Sequence, residues 1–260
     1  MPAPTKETSV NTTSASHVEG RASASSARRI LVWDAPVRVF HWLMVLCFAG
    51  AWITAESERW RLLHVTLGYT MAGLVVFRLL WGLVGTRHAR FRNFVQGPKA
   101  VRRYLGSLLR GRPEHHTGHN PAGALAIVGL LGLTAAVTLT GWATFNEVWA
   151  GWPEELHEGL ANAMLALAGL HVAGVIVASW AHRENLVGAM ISGRKPGPPA
   201  EALRRAWHGV AALMIAAVLA FWWWQWQAPI GGAPAGDRFE AAAQPPAMGT
   251  HARARHNDDD

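Results

Sequence analysis

The chain has 260 residues, of which half are hydrophobic and only 16% are charged, with a formal net charge of +7. Soluble domains carry about 25% charged residues, so the composition argues against an ordinary globular protein. The single cysteine, Cys47, excludes an intrachain disulfide and a cysteine-ligated iron–sulfur cluster within this sequence, and the lack of a Cys-x-x-Cys-His motif excludes covalently attached haem.

In chain order, residues 1–29 are rich in Ser, Thr and Ala and have no long apolar run. They read as a disordered arm rather than a cleaved signal. Ordered structure is expected from about Leu31. Asp34 can cap a helix with Pro36 in its first turn, where a missing N–H does no harm. Five apolar bands follow, over residues 39–55, 62–84 (with Arg78 inside it), 122–145, 160–181 and 207–226. Each is close to the roughly twenty residues that a hydrocarbon core of about 30 Å requires. Asn120 and Pro121 repeat the cap-and-proline device at the start of the third band.

The segments between the bands set the topology. Residues 85–121 hold eight Arg and Lys residues against the single acid Glu114, and residues 182–206 are also basic. Residues 146–159 carry Glu147, Glu154, Glu155 and Glu158 with no base. In a soluble protein a net positive charge would raise nucleic-acid binding. Here the charge is sorted by loop, so it reads as orientation and not as a nucleic-acid surface. The positive-inside rule places the N-terminus and both basic loops in the cytoplasm and, with five spans, the C-terminus outside. Within the first basic loop, residues 98–109 have Val101, Leu105, Leu108 and Leu109 at helical spacing beside Arg102 and Arg103. An interfacial amphipathic helix and an ordinary basic loop both remain open there. The run 193–199 breaks the chain before the fifth band, which ends in Trp222, Trp223, Trp224 and Trp226, an aromatic belt. Residues 228–260 read as a mobile outer tail.

Four histidines lie near the ends of the bands: His41, His64, His157 and His171. An ionisable side chain inside a span is rare and is a functional-site hypothesis by default. The topology puts His41 near the inner face and His64 and His157 near the outer one. His171 lies fourteen residues beyond His157, about 21 Å along a helix and on the same face. The natural pairs are His41 with His171 and His64 with His157. Ala161, Met164, Ala168 and Gly174 continue the stripe of His157 and His171, and Gly68 lies one turn after His64. Such small residues either admit a flat cofactor or line helix contacts. Arg78, fourteen residues after His64, lies at the depth of the inner pair, and Arg38 lies just before His41. Each can serve a haem propionate or snorkel to the headgroups. The remaining histidines, including His115, His116, His119 and His208, read as loop, tail or interfacial residues.

The segment Trp33-Asp34-Ala35-Pro36-Val37-Arg38-Val39-Phe40-His41-Trp42 resembles the opening of the prokaryotic cytochrome b561 family, which includes the b-type cytochrome subunits of nickel–iron hydrogenases. Arg78-Leu79-Leu80-Trp81-Gly82, His119-Asn120-Pro121, Thr140-Gly141, Arg183-Glu184-Asn185 and Gly193-Arg194-Lys195 resemble later landmarks of that family. The resemblance implies an all-α integral membrane protein with a four-helix dihaem core. Two b haems would be held by His41, His64, His157 and His171, with Arg38, Arg78 and Gly68 as further cofactor-binding candidates. The expected organisation is a cytoplasmic arm (1–29), the dihaem core (30–195), a fifth transmembrane helix (196–227) and a periplasmic tail (228–260), in a bacterial inner membrane.

The expected function is electron transfer between the quinone pool and a periplasmic redox partner such as a c-type cytochrome. The alternatives are a membrane-anchor cytochrome subunit of a hydrogenase-like oxidoreductase and a haem-free transporter with proton-relay histidines. Whether the chain is an electron-transfer protein or a subunit of a quinone-linked enzyme stays open at this level.

Overall fold

The computed structural model describes residues 28–112, 114, 116–148 and 152–227. Five helices are long and apolar enough to cross a membrane. In chain order the elements are β1 (Arg29–Leu31), α1 (Ala35–Thr54), α2 (Arg61–Val84, preceded by a 3-10 turn, Glu58–Trp60), the single turn α3 (Phe91–Phe94), α4 (Pro98–Leu109), α5 (Pro121–Phe145), α6 (Trp152–His182), the short α7 (Leu186–Ser192), β2 (Arg194–Pro196), a 3-10 turn (Pro199–Glu201) and α8 (His208–Gln227). The expected arm and tail fall outside the described residues, apart from Arg28 and Arg29.

Local chemistry sets the helix starts. Asp34 Oδ1 accepts the Val37 N–H at 2.8 Å, and Asn120 Oδ1 accepts the Gly123 N–H at 2.7 Å, each with a proline in the first turn. These are the caps that the sequence marks. Inside the spans, threonine hydroxyls return to carbonyls one turn back, as Thr66 does to Leu62, Thr134 to Leu130 and Thr144 to Thr140. No hydroxyl proton in that set is left to lipid. Large apolar side chains point outward along every span, with Ile53, Leu83, Leu170 and Trp180 all well exposed. That is the surface a bilayer, not water, would cover.

The chain divides into two compact units, one ending at Ile215 and the other starting at Ala216. In the first, α1 packs on α2, α2 on α5, and α5 on α6. A buried layer of Cys47, Leu67, Met71 and Met164 fills the middle of this bundle. The end where α1 begins, here the Asp34 end, is closed by secondary structure that the apolar bands do not announce. β1 pairs antiparallel with β2, with Ile30 opposite Lys195. Ile30, Val32, Trp33 and Ala189 form a small core there. In the second unit, the end of α8 carries exposed Trp222, Trp223, Trp224 and Trp226, with the Phe221 and Trp224 rings 6.2 Å apart.

Two boundaries differ from expectation. The fourth span begins at Trp152, not near residue 160, because Glu154, Glu155 and Glu158 extend the helix beyond its apolar stretch. Carboxylates are favourable in a helix's first turns, where the dipole is positive. The strand β1 also starts at Arg29, ahead of the expected Leu31, held by β2 rather than by its own hydrophobicity.

Candidate functional site

The far end of the bundle, opposite Asp34, brings together His64 and His157. His64 lies in the first turn of α2, and its Nδ1 is 2.8 Å from the Ala51 carbonyl of α1. His157 lies in the second turn of α6, and its Nδ1 is 2.9 Å from the Val137 carbonyl of α5. A carbonyl only accepts, so each Nδ1 donates, and each Nε2 is the ring nitrogen left for a metal. A hydrogen bond from the other ring nitrogen to a fixed carbonyl orients an imidazole as a metal ligand. The two ring centroids are 6.1 Å apart, with planes at 76°.

The seat of His157 depends on a residue missed as functional in the sequence. A Cβ on Gly141 would lie 2.8 Å from His157 Cε1 and 3.0 Å from Nδ1. Only glycine lets α5 approach the ring this closely. Gly68 differs: a Cβ there would meet nothing within 4 Å, so the space beside this half-buried glycine is open.

At the Asp34 end, His41 of α1 and His171 of α6 are electrostatic neighbours. His41 Nδ1 is buried without a hydrogen-bond partner among the described residues. The unbroken α6 carries His157 and His171 with Ala161, Met164 and Ala168 between them on the inward stripe, whereas Gly174 is exposed. Among the described residues α6 packs closely along α5 and not closely against α1 or α2. The imidazole of His64 on α2 therefore faces that of His157 on α6 across a separation that backbone packing does not close.

Arg78 is 2% exposed, with its guanidinium 4.6 Å from the Phe91 ring centroid and 5.9 Å from that of Phe94. Its Nη1 has no partner among the described residues. Arg38 does not snorkel freely. Its guanidinium donates to the Ile191 carbonyl and ties α1 to α7, while its Nε is buried without a partner.

His119, read from the sequence as a loop histidine, is part of this end. Its ring lies 4.4 Å from Trp33 and 4.5 Å from Phe94, and its Nδ1 is buried without a partner. Burial first, and the Arg78 charge second, push its pKa down to about 3, so it is neutral at physiological pH. The missed signal was its position directly before the Asn120–Pro121 cap, which fixes it to the base of α5. His208, by contrast, is exposed at the start of α8. His116 bonds locally to the Glu114 carbonyl, and His115 lies outside the described residues.

Among the described residues, no three His, Cys, Asp or Glu side chains gather as a metal cage. The histidines meet in pairs, which suits a metal whose other positions come from a macrocycle. The model for prokaryotic cytochrome b561 matches residues 32–193. The chain belongs to that family. It is a multi-pass membrane b-type cytochrome, a class that binds haem b.

The chain is similar to the probable Ni/Fe-hydrogenase 1 B-type cytochrome subunit of Escherichia coli (strain K12), 29% identical over 143 residues, or 45% of this chain and 60% of that protein. Probable Ni/Fe-hydrogenase B-type cytochrome subunits of Bradyrhizobium diazoefficiens and Rhodobacter capsulatus are each 25% identical, covering 64% and 67% of this chain and 85% and 86% of those proteins. The match thus spans under two thirds of the Escherichia coli relative's length. No solved structure matches the chain.

The residues fit the haem. The two far-end imidazoles are anchored through Nδ1, leaving Nε2 as the remaining ring nitrogen, and among the described residues the Asp34 end leaves imidazole and guanidinium nitrogens unpaired.

Proposed function

We propose that this cytochrome is the membrane subunit of a hydrogenase-like oxidoreductase complex and passes electrons between a partner redox protein and membrane quinone. The named relatives favour this reading over a stand-alone relay to a periplasmic c-type cytochrome. Membership of a b-type cytochrome family also replaces the haem-free transporter reading.

Two haem b groups held by four imidazoles would supply one-electron iron chemistry, which suits electron transfer rather than oxygen binding. His64 and His157 hold one group, and His41 and His171 the other. The single observation that carries the proposal is the facing of His64 and His157, with both Nδ1 atoms anchored to carbonyls of neighbouring helices. His171 then sits about 21 Å deeper along α6, so the two pairs lie near opposite faces of a bilayer. The apolar layer around Met164 separates them and excludes water.

In this reading the four-span core binds both groups, and the fifth span is an addition to it. The basic loops at the Asp34 end favour a cytoplasmic location for that end in a bacterial inner membrane, with the His64 end periplasmic. The test is a pyridine haemochrome assay on the purified chain, with about two haem b expected per polypeptide. One haem or none would overturn the paired reading. Co-purification of a hydrogenase-type partner separates the complex subunit from the stand-alone relay.

A further inference from the structure

We propose that Arg78 and His119 form a buried receptor for a carboxylate, and that this carboxylate is a propionate of the haem at the Asp34 end. The proposal rests on the four-histidine reading above and adds a second point of attachment to it.

Arg78 needs an anion. It is 2% exposed, yet its Nη1 is unpaired among the described residues. A buried guanidinium with an unused N–H is costly. The acid whose charge acts on it is Asp34. Both Asp34 oxygens are already engaged. Oδ1 takes the Val37 N–H at 2.8 Å, while Oδ2 takes Trp81 Nε1 at 3.1 Å and the Thr86 hydroxyl at 2.6 Å. Asp34 moderates the charge and leaves the N–H without an acceptor.

His119 supplies a second nitrogen from another element. Phe94 links the two groups, since its ring lies under the Arg78 guanidinium and against the His119 imidazole. His119 Nδ1 is likewise buried and unpaired, and the imidazole is an electrostatic neighbour of both Arg78 and His171. Two unpaired nitrogens beside a candidate ligand histidine call for an acceptor reaching in from the bundle. With the proton on Nδ1, His119 donates beside Arg78, and an acceptor-only anion satisfies both.

Of the neighbouring cations, Lys195 Nζ is engaged, 3.2 Å from Glu184 Oε2 and 3.2 Å from the His116 carbonyl, and Arg38 donates to Ile191 while its Nε stays unpaired among the described residues. A propionate is the carboxylate that would arrive with the group held by His41 and His171, so its position is fixed by the same attachment.

The test uses the full haem-loaded protein in membranes, from cells fed δ-aminolevulinate labelled with carbon-13 so that the propionate carboxyls carry the label. Redox-difference infrared spectra and potentiometric titration are recorded for wild type, Arg78→Gln, Arg78→Lys, His119→Phe and His171→Ala. The aromatic His119→Phe keeps the stack between Trp33 and Phe94. Both Arg78→Gln and His119→Phe are expected to move the labelled carboxylate band. Arg78→Gln also lowers the potential of one haem component only, because a lost cation favours the ferric form, and Arg78→Lys restores most of that shift.

A labelled band unmoved by either substitution overturns the proposal. So does a response confined to unlabelled bands, which would assign the nitrogens to a quinone carbonyl or a protein group. If Arg78→Gln fails to assemble, His119→Phe decides alone by the same band. Retention of both haem components in His171→Ala would instead sink the ligand reading, leaving the two failures distinguishable.

Discussion

At the scale of single residues, the far-end pair turns on a missing methyl group. A Cβ on Gly141 would lie 2.8 Å from His157 Cε1, well inside van der Waals contact. Gly141→Ala should therefore swing His157 off the Val137 carbonyl, losing a hydrogen bond worth about 1 kcal/mol and the orientation that goes with it. The expected result is loss or marked weakening of one haem component, with the other unchanged, read by haemochrome content and redox titration. Two full components in Gly141→Ala would show that the ring tolerates the crowding. His157→Ala and His171→Ala should remove different spectral components, since the proposed arrangement assigns the two residues to different pairs. If both mutants lost the same component, the stacked arrangement would be wrong. The placement of His64 opposite His157 was legible in the sequence because period and depth are both readable from spacing. Gly141 was not, because nothing in a string of residues says which helix face meets an imidazole sixteen positions away.

At the scale of elements, Asp34 joins three of them. It caps α1, and its second oxygen receives the end of α2 through Trp81 and the following loop through Thr86. Asp34→Ala removes a cap worth about 1 kcal/mol. It also leaves the Trp81 and Thr86 donors unpaired, at roughly 1–3 kcal/mol each. The expected outcome is a large drop in the temperature at which the protein releases haem. Asp34→Asn should lose less, because it retains one acceptor oxygen. Equal thermal stability in Asp34→Ala and wild type would refute this account. The cap itself was visible in the Asp-x-Pro pattern, while the links to Trp81 and Thr86 needed the fold. Helix α4 shows how far periodicity reaches. It spans Pro98–Leu109, the stretch singled out for its spacing, and buries Tyr104, whose hydroxyl lies 3.2 Å from His182 Nε2. Leu105 and Leu109 stay exposed beside Arg102. That mixed face suits the edge of a membrane, and it decides the matter between helix and loop.

At the scale of the whole molecule, charge is sorted along the proposed membrane normal. Glu147, Glu154 and Glu155 are exposed at the His64 end, and basic loops gather at the other. Neutralising these three carboxylates to glutamine should slow electron exchange with a basic partner at low salt, and the effect should fade as ionic strength rises. A rate unchanged at every salt concentration would remove that docking surface. The sequence by itself determined the five spans, the two helix caps, the four histidines and the charge asymmetry. These depend on local composition, helical period and loop charge, all of which are properties of neighbours in the chain. Only the tertiary structure decided that His119 is buried against Trp33 and Phe94, that β1 and β2 close the Asp34 end, and that Gly141 seats His157. Each of these joins residues far apart in sequence, and a contact of that kind is set by how helices pack, which no local pattern encodes.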